Sequence, residues 1–552
     1  MNEPFASEPG DLPEIDPDAP RAQPDAAPRW AAPMAGLVSA TGSVCLGLLV
    51  AAIMEVVSPL DAVGSEFIDH TPAWLKRLAI DWFGTNDKLA LRVGMVITIG
   101  LLSLAVGVLG RRRPVVAAAV LGAFGALGAV IAVGRPGESG AAAVPALLGA
   151  AGGAALLFHL CRFVARHDPA HERPGRSRAP SGWDRRRFLA TTGSAAAVAA
   201  VAAVGSRRLE DQRIDRLEDA APDSLPPVDG AATAGTSGGT GTGVSAVAEP
   251  IPASATVNPV TPFITPNDDF YLIDTALSVP RIDLDTWSVR IGGMVDRPLR
   301  LTYDDLLARP QVQRTITLTC VSNDVGGSLI GTATWQGVLL ADLLEEVGVQ
   351  PGAEQVFGTS VDGWTCGFPV ELASDGRDAM IAIGMNGEPL PLRHGFPARV
   401  VVPGLYGYVS ATKWVSSIDL TTWDAAEGYW VPRGWAREAP IKTQSRIDVP
   451  KRRVDVRPGP VTVAGVAWAQ HRGIAAVEVR VDDGPWQQAD LGTEVSVDAW
   501  RQWTWTWDAT PGDHTLQVRA TDRTGEVQTD AVSRPDPDGA TGHHTRRVTV
   551  SE

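Results

Sequence analysis

The chain has 552 residues and a mass of 58.1 kDa, room for roughly three or four domains. It is 45% apolar and only 20% charged, with a net charge of −15 and no basic tract in its C-terminal half, which argues against nucleic acid as a partner. Four cysteines are too few for a disulfide scaffold, and Cys45 and Cys161 lie in apolar runs, which leaves Cys320 and Cys366 for chemistry outside a membrane.

Residues 1–29 hold seven Asp or Glu and two Arg among Pro and Ala, a composition expected of a disordered tail. Apolar stretches follow at about 34–57, 90–110, 114–134 and 141–161. Each is near the ~20 residues that cross a bilayer as a helix, so 30–161 reads as four transmembrane helices. Arg111, Arg112 and Arg113 separate the second from the third, and eight arginines crowd residues 162–187. The 58–89 connection carries three basic and five acidic residues. Arginine-rich loops stay in the cytoplasm, so the N-terminus and the 162–187 loop are expected inside.

Asp184-Arg185-Arg186-Arg187-Phe188-Leu189-Ala190 opens a weakly apolar run, 188–205. It reads as a fifth transmembrane helix or a twin-arginine-type export signal, and both place everything after about 206 outside the cell membrane. A flexible linker is expected over 206–262, where 220–262 is mostly Ala, Gly, Ser, Thr and Pro without an aromatic. From Phe263 the composition is globular to about 445. Residues 446–552 alternate: Val477, Val479 and Val481, then Trp503, Trp505 and Trp507, then Leu516, Val518 and Ala520 after the Pro511-Gly512 turn. Short alternating strands with regular turns predict an immunoglobulin-like β-sandwich.

There is no GxGxxG, P-loop, HExxH, GxSxG or CxxC, which removes the common nucleotide, zinc-protease and esterase readings. His159 alone of nine histidines lies within a span, so the helices offer no bis-histidine haem site. A strand-like run, Thr315 to Thr319, delivers Cys320 into a loop with Asn323, Gly326 and Gly327. That cysteine suits a soft thiolate ligand, a buried free thiol, or a disulfide with Cys366.

The block Met385-Asn386-Gly387-Glu388-Pro389-Leu390-Pro391, then His394-Gly395-Phe396-Pro397-Ala398-Arg399, Val402-Pro403-Gly404 and Lys413-Trp414 resembles the sulfite oxidase family of molybdopterin enzymes. The resemblance covers about 263–450. It implies an α+β molybdopterin-binding domain with a C-terminal dimerisation domain, and a homodimer. It assigns Cys320 as the molybdenum ligand and Asn323, His394, Arg399 and Lys413 as cofactor-binding residues. Asp274 and Thr275 fall at pterin-contact positions, and Tyr429 near an active-site tyrosine. The family's F-x-x-R-N-H run is Phe270-Tyr271-Leu272-Ile273-Asp274-Thr275 here, and its C-x-G-N-R-R run is Cys320-Val321-Ser322-Asn323-Asp324-Val325. Arginines are thus replaced by Ile273 and Val325, and Asp324 adds negative charge, which disfavours a sulfite dianion. Arg433 or Arg437 either compensates from the far side or forms a link to the sandwich.

The resemblance implies two-electron oxygen-atom transfer on a small sulfur or nitrogen oxide, with a Mo-molybdopterin cofactor. Electrons would leave or enter by a separate haem or quinone-linked membrane protein. The alternatives are a sulfite oxidase or dehydrogenase proper, and a non-enzymatic exported binding protein with a degenerate domain.

Overall fold

A computed structural model describes residues 27–72, 75, 78–79, 82–83, 87–166, 183–228, 251–257, 260–452 and 454–551. The expected tail, most of the 162–187 loop and much of the 206–262 linker fall outside those residues. Five described helices are long and apolar enough to cross a membrane: Ala31–Met54, Lys88–Arg112, Pro114–Val133, Gly140–Arg166 and Arg185–Asp219.

The chain divides into two compact units, and the first comprises Met1–Leu49, Met95–Leu127 and Pro145–Val204. Its helices touch through small residues. A Cβ on Gly36 would strike the Ser103 carbonyl, one on Gly107 the Ala32 carbonyl, and one on Gly149 the Ser43 carbonyl. Glycine lets the backbones approach this closely.

The last long helix does not stop at Gly205. It continues to Asp219, so 206–219, expected as the start of a linker, is helical. Arg-Arg-Leu-Glu-Asp-Gln-Arg contains no breaker, and Arg213 pairs with Glu210 at 2.6 Å across one turn.

The second unit, Val50–Gly94, Gly128–Val144 and Gly205–Glu552, holds two β-rich domains. In the first, strands β1 (Ser288–Gly293), β2 (Leu299–Thr302), β3 (Val312–Thr319), β4 (Ile330–Leu339), β5 (Gln355–Ser360), β6 (Thr365–Pro369), β7 (Met380–Met385), β8 (Glu388–Pro389), β9 (Arg399–Val401) and β10 (Val415–Thr421) form two sheets. One runs β2-β1-β10-β5-β6, with β1 parallel to β10; the other runs β3-β4-β7-β8, with β9 also on β7. Every residue of β7, Met-Ile-Ala-Ile-Gly-Met, is buried, as a strand covered on both faces requires. Short helices Tyr303–Ala308 and Leu340–Val347 complete this α+β domain.

The second domain is a sandwich of β11 (Gln444–Val449), β12 (Gly459–Trp468), β13 (Ile474–Val481), β14 (Gln487–Gln488), β15 (Asp490–Leu491), β16 (Arg501–Ala509), β17 (Gly512–Asp522) and β18 (His544–Val550). Its sheets are β11-β12-β16-β15 and β14-β13-β17-β18. Trp503 and Trp507 of β16 point into the core, as do Val477 and Val479 of β13 and Leu516, Val518 and Ala520 of β17. That is the period-two burial the sequence predicts.

The sandwich is not an appendage. Trp468 and Trp500 are buried in the core of the α+β domain rather than in their own. The Trp500 backbone N–H donates to Thr317 Oγ1 at 2.7 Å, its indole N–H to the Phe263 carbonyl at 2.9 Å, and Gln470 to the Thr317 carbonyl at 3.0 Å. The sandwich therefore grips β3, the strand that ends at Cys320.

Candidate active site

Cys320 leaves β3 as its first non-strand residue, and a tight loop returns the chain to β4. The Cys320 N–H donates to the Leu329 carbonyl at 3.0 Å, and the Asn323 N–H to the Cys320 carbonyl at 3.0 Å. Asn323 Oδ1 accepts the Leu329 N–H at 2.8 Å. A Cβ on Gly327 would lie 2.6 Å from that oxygen and 2.9 Å from the Asp324 carbonyl, so the turn requires glycine there. The sandwich closes the loop from outside: Arg446 Nη1 donates to the Gly327 carbonyl at 2.9 Å.

Cys320 is buried and free, and so is Cys366, whose Sγ lies 3.1 Å from Thr412 Oγ1; the disulfide alternative is not formed. Burial pushes the Cys320 thiol up, against hydrogen bonding by Ser322, which lowers it. Cys366 is pushed up to about 12 by burial, which leaves it an inert thiol.

A cavity of about 120 Å³ opens over Cys320. Asp274, Thr275, His394, Arg399 and Lys413 line it too, so residues far apart in sequence converge on one space. His394 ends a short 3₁₀ turn, Leu392–His394, with Nε2 3.0 Å from the Asn267 carbonyl. Burial, then Arg399, lowers it to about 4, so it is neutral near pH 7. Arg399, on β9, donates to the His394 carbonyl at 3.0 Å and sits 5.0 Å from the centre of the Trp335 ring. Burial lowers its guanidinium to about 10. Lys413 donates to Asp274 Oδ2 at 2.5 Å and to the Arg393 carbonyl at 3.1 Å. Burial lowers it to about 8, against Asp274, which raises it.

Asn323 does not line the cavity; it is a brace beneath the loop. Tyr429 does not line it either. Its hydroxyl donates to Asp69 Oδ1 at 2.9 Å, and Arg433 stacks on its ring, 3.7 Å from the centroid. The Tyr429 N–H donates to the Thr365 carbonyl at 2.9 Å, and its neighbour Trp430 lines the cavity instead. Arg433 spends its donors on the carbonyls of Tyr429 and Asp69, and Arg437 lies 3.6 Å from Glu427, so neither supplies a cation to the cavity. Asp324 is exposed and outside it. The acidic groups that do line it are Asp274 and Asp362.

Sequence reasoning missed Tyr271 and Tyr408, the tyrosines that do line the cavity, and Trp364 at its wall. Tyr271 lies within electrostatic reach of Cys320 and Arg399, and burial pushes its phenol up. Its signal was its place next to Phe270, which packs edge-on against both Trp335 and His394.

A molybdopterin would suit these residues. Among the described residues no group of three or more His, Cys, Asp or Glu side chains is set to hold a metal ion. The buried Arg399 Nε has no partner, an unmet donor facing an anion's needs.

Sequence comparison agrees with this geometry. Residues 276–430 match the oxidoreductase molybdopterin binding domain, and 444–518 the bacterial Ig domain. A molybdopterin-binding fold joined to an immunoglobulin-like module is the class that fold and site define. The mitochondrial sulfite oxidase of Homo sapiens is 31% identical over 335 residues, 52% of this chain and 60% of that protein. The sulfite oxidase of Arabidopsis thaliana is 31% identical over 297 residues, 45% of this chain and 74% of that protein. The solved sulfane dehydrogenase SoxCD from Paracoccus pantotrophus is 26% identical, covering 52% of this chain and 84% of that one, with a TM-score of 0.46. The chain belongs to the sulfite oxidase family of molybdopterin-binding oxidoreductases. It spans about 60% of the length of the mammalian sulfite oxidases it matches.

Proposed function

We propose that this chain is a membrane-anchored molybdopterin-dependent oxidoreductase that transfers an oxygen atom to or from a small neutral or cationic substrate outside the cell membrane. The observation that carries the reading is the convergence of the free, buried Cys320 with His394, Arg399 and Lys413 on one cavity. The bound cofactor would supply two-electron redox chemistry and the oxygen-transferring metal. Cys320 would hold that metal as a thiolate. Arg399 and Lys413 would hold the pterin phosphate, and His394, kept neutral, would donate or accept one hydrogen bond without adding charge. Trp335, under Arg399, fixes the guanidinium in place.

The substrate class follows from charge. Ile273 lines the cavity where a family member has arginine, and Asp362 stands in the wall beside Trp364 and Trp430. A second cavity of about 930 Å³ shares Thr275, Asp362 and Trp364 with the first, and carboxylates outnumber arginines in its wall. A dianion approaching through it meets repulsion, whereas a sulfoxide or amine oxide does not. Sulfite is the second reading, favoured by the sulfite oxidases among the relatives.

Placement outside the membrane is supported by the company the α+β domain keeps. The connections around 55–70 and 135–138 belong to its compact unit, with Arg135 2.7 Å from Asp69 and the Val57 N–H on Glu138. Residues 55–70 carry Glu55, Asp61, Glu66 and Asp69, whereas the connection at 111–113 is Arg-Arg-Arg, and arginine-rich connections stay in the cytoplasm. Electrons would enter through a separate haem or quinone-linked membrane partner when an S-oxide or N-oxide is reduced, and leave through it when a substrate is oxidised; the sandwich would serve a homodimer. Arg185–Arg187 would act as a twin-arginine-type signal.

The test is metal analysis. Chain purified from a molybdopterin-making host should carry about one molybdenum, and Cys320→Ser should abolish turnover of sulfoxides and N-oxides while the fold persists. Folded wild-type chain without molybdenum from such a host would sink the reading.

A further inference from the structure

Asp274 is an awkward residue for an anion-binding pocket. It lines the cavity, its side chain is only 19% exposed, and it takes a hydrogen bond from Lys413. A carboxylate paired one to one with Lys413 cancels the charge that a phosphate would need. The structure adds a second cation. Lys88, one residue into the helix Asp87–Arg112, donates to Asp274 Oδ1 at 2.5 Å and to the Ala276 carbonyl at 2.8 Å. Arg92, one turn on, donates to the Leu277 carbonyl. Asp274 is thus held between two ammonium groups, one on each oxygen, and both lower its carboxyl, against burial, which raises it.

The charge count is the point. Lys413 and Asp274 sum to zero; with Lys88 the trio carries one net positive charge beside Arg399. A buried carboxylate with a cation on each oxygen is also fixed in orientation, and with it the Asp274–Thr275 wall. We propose that Lys88, supplied by the start of the second membrane helix, is a positioning residue of the molybdopterin pocket that offsets Asp274 and leaves Lys413 free in charge to hold the cofactor's phosphate. The start of that helix is then part of the pocket. This inference rests on the molybdopterin reading.

The experiment uses the full chain in detergent, loaded in a molybdopterin-making host, and follows molybdenum release during dialysis at fixed salt. Lys88→Met should release the metal about tenfold faster, ~1.4 kcal/mol of retention. Lys88→Arg should stay within about twofold of wild type, since the charge is kept. The double variant Lys88→Met with Asp274→Asn should also recover, because a neutral amide no longer needs offsetting; a merely structural role for Lys88 would give no such rescue. Retention by Lys88→Met equal to wild type would overturn the proposal, and so would failure of the double variant to recover. A wild-type chain that never holds molybdenum defeats the functional reading instead. In that case orthophosphate binding to the same purified chains decides: about tenfold weaker in Lys88→Met and restored in the double variant supports the pocket role, and equal binding ends it.

Discussion

Asp498 offers a sharp test of how the sandwich is joined to the strand that carries Cys320. Its backbone carbonyl accepts the Thr317 N–H at 2.9 Å, and its side chain is only 13% exposed. His471 Nδ1 stands 3.8 Å away, too far for a hydrogen bond, and Asp498 Oδ1 has no partner. Burial lifts the carboxyl to about 7, against hydrogen bonding from the His471 backbone and the charge of Arg377, while Asp378 and Asp375 lift it further. The acid is raised from 3.8, so the folded chain keeps its proton after the unfolded chain has lost it. Each pH unit between 3.8 and about 7 therefore costs ~1.4 kcal/mol, up to about 4 kcal/mol near neutrality. Asp498→Asn keeps the shape and removes the titration. It should stabilise the chain at pH 7 by up to ~4 kcal/mol, with the gain shrinking to nothing near pH 4. Tryptophan-fluorescence melting of the full chain across that range reads it directly. A variant less stable than wild type at pH 7 would show an ionised Asp498 paired with His471 or Arg377, and the argument from burial would be wrong.

Tyr429→Phe should leave turnover within about threefold of wild type, since its hydroxyl serves Asp69 rather than the cavity; a loss of a hundredfold or more, the scale of a lost general acid, would place the ring over Cys320 during turnover. Arg399→Met should strip the chain of molybdenum yet stabilise the cofactor-free fold by about 1–3 kcal/mol, because it removes a buried guanidinium with an unmet N–H; metal analysis and denaturant melts give the two numbers, and retained metal would refute the anion-holding role.

The sandwich was legible because alternation is local: the valines of β13 and the tryptophans of β16 announce their face within a few residues. The convergence of His394, Arg399 and Lys413 on one cavity was legible because the block Met385–Trp414 that carries them is nearly continuous, so they could be read together. What escaped was set by partners remote in sequence. Nothing near Tyr429 says that Asp69 will take its hydroxyl, and nothing near Asp274 announces Lys88. Asp324 misled for a simpler reason: proximity to Cys320 in sequence does not fix a direction, and a loop tip one residue past Asn323 faces solvent. The extension of the last long helix to Asp219 was written in breaker-free charge pairs, overlooked beside the apolar run that precedes them.

The grip of the sandwich on the Cys320 loop has a consequence in time. Thr317 is bonded by Gln470 and Trp500, the loop's carbonyl at Gly327 by Arg446, and a Cβ at Gly326 would collide with the ring of His544 on β18. Synthesis runs from the N-terminus, so the ribosome produces the cysteine long before the residues that shape its surroundings. The loop reaches its final form only once β18 has been made and has docked. If Cys320 holds the metal as proposed, its delivery would be ordered after translation of the sandwich, and a nascent chain halted before His544 would display the thiol without the pocket around it.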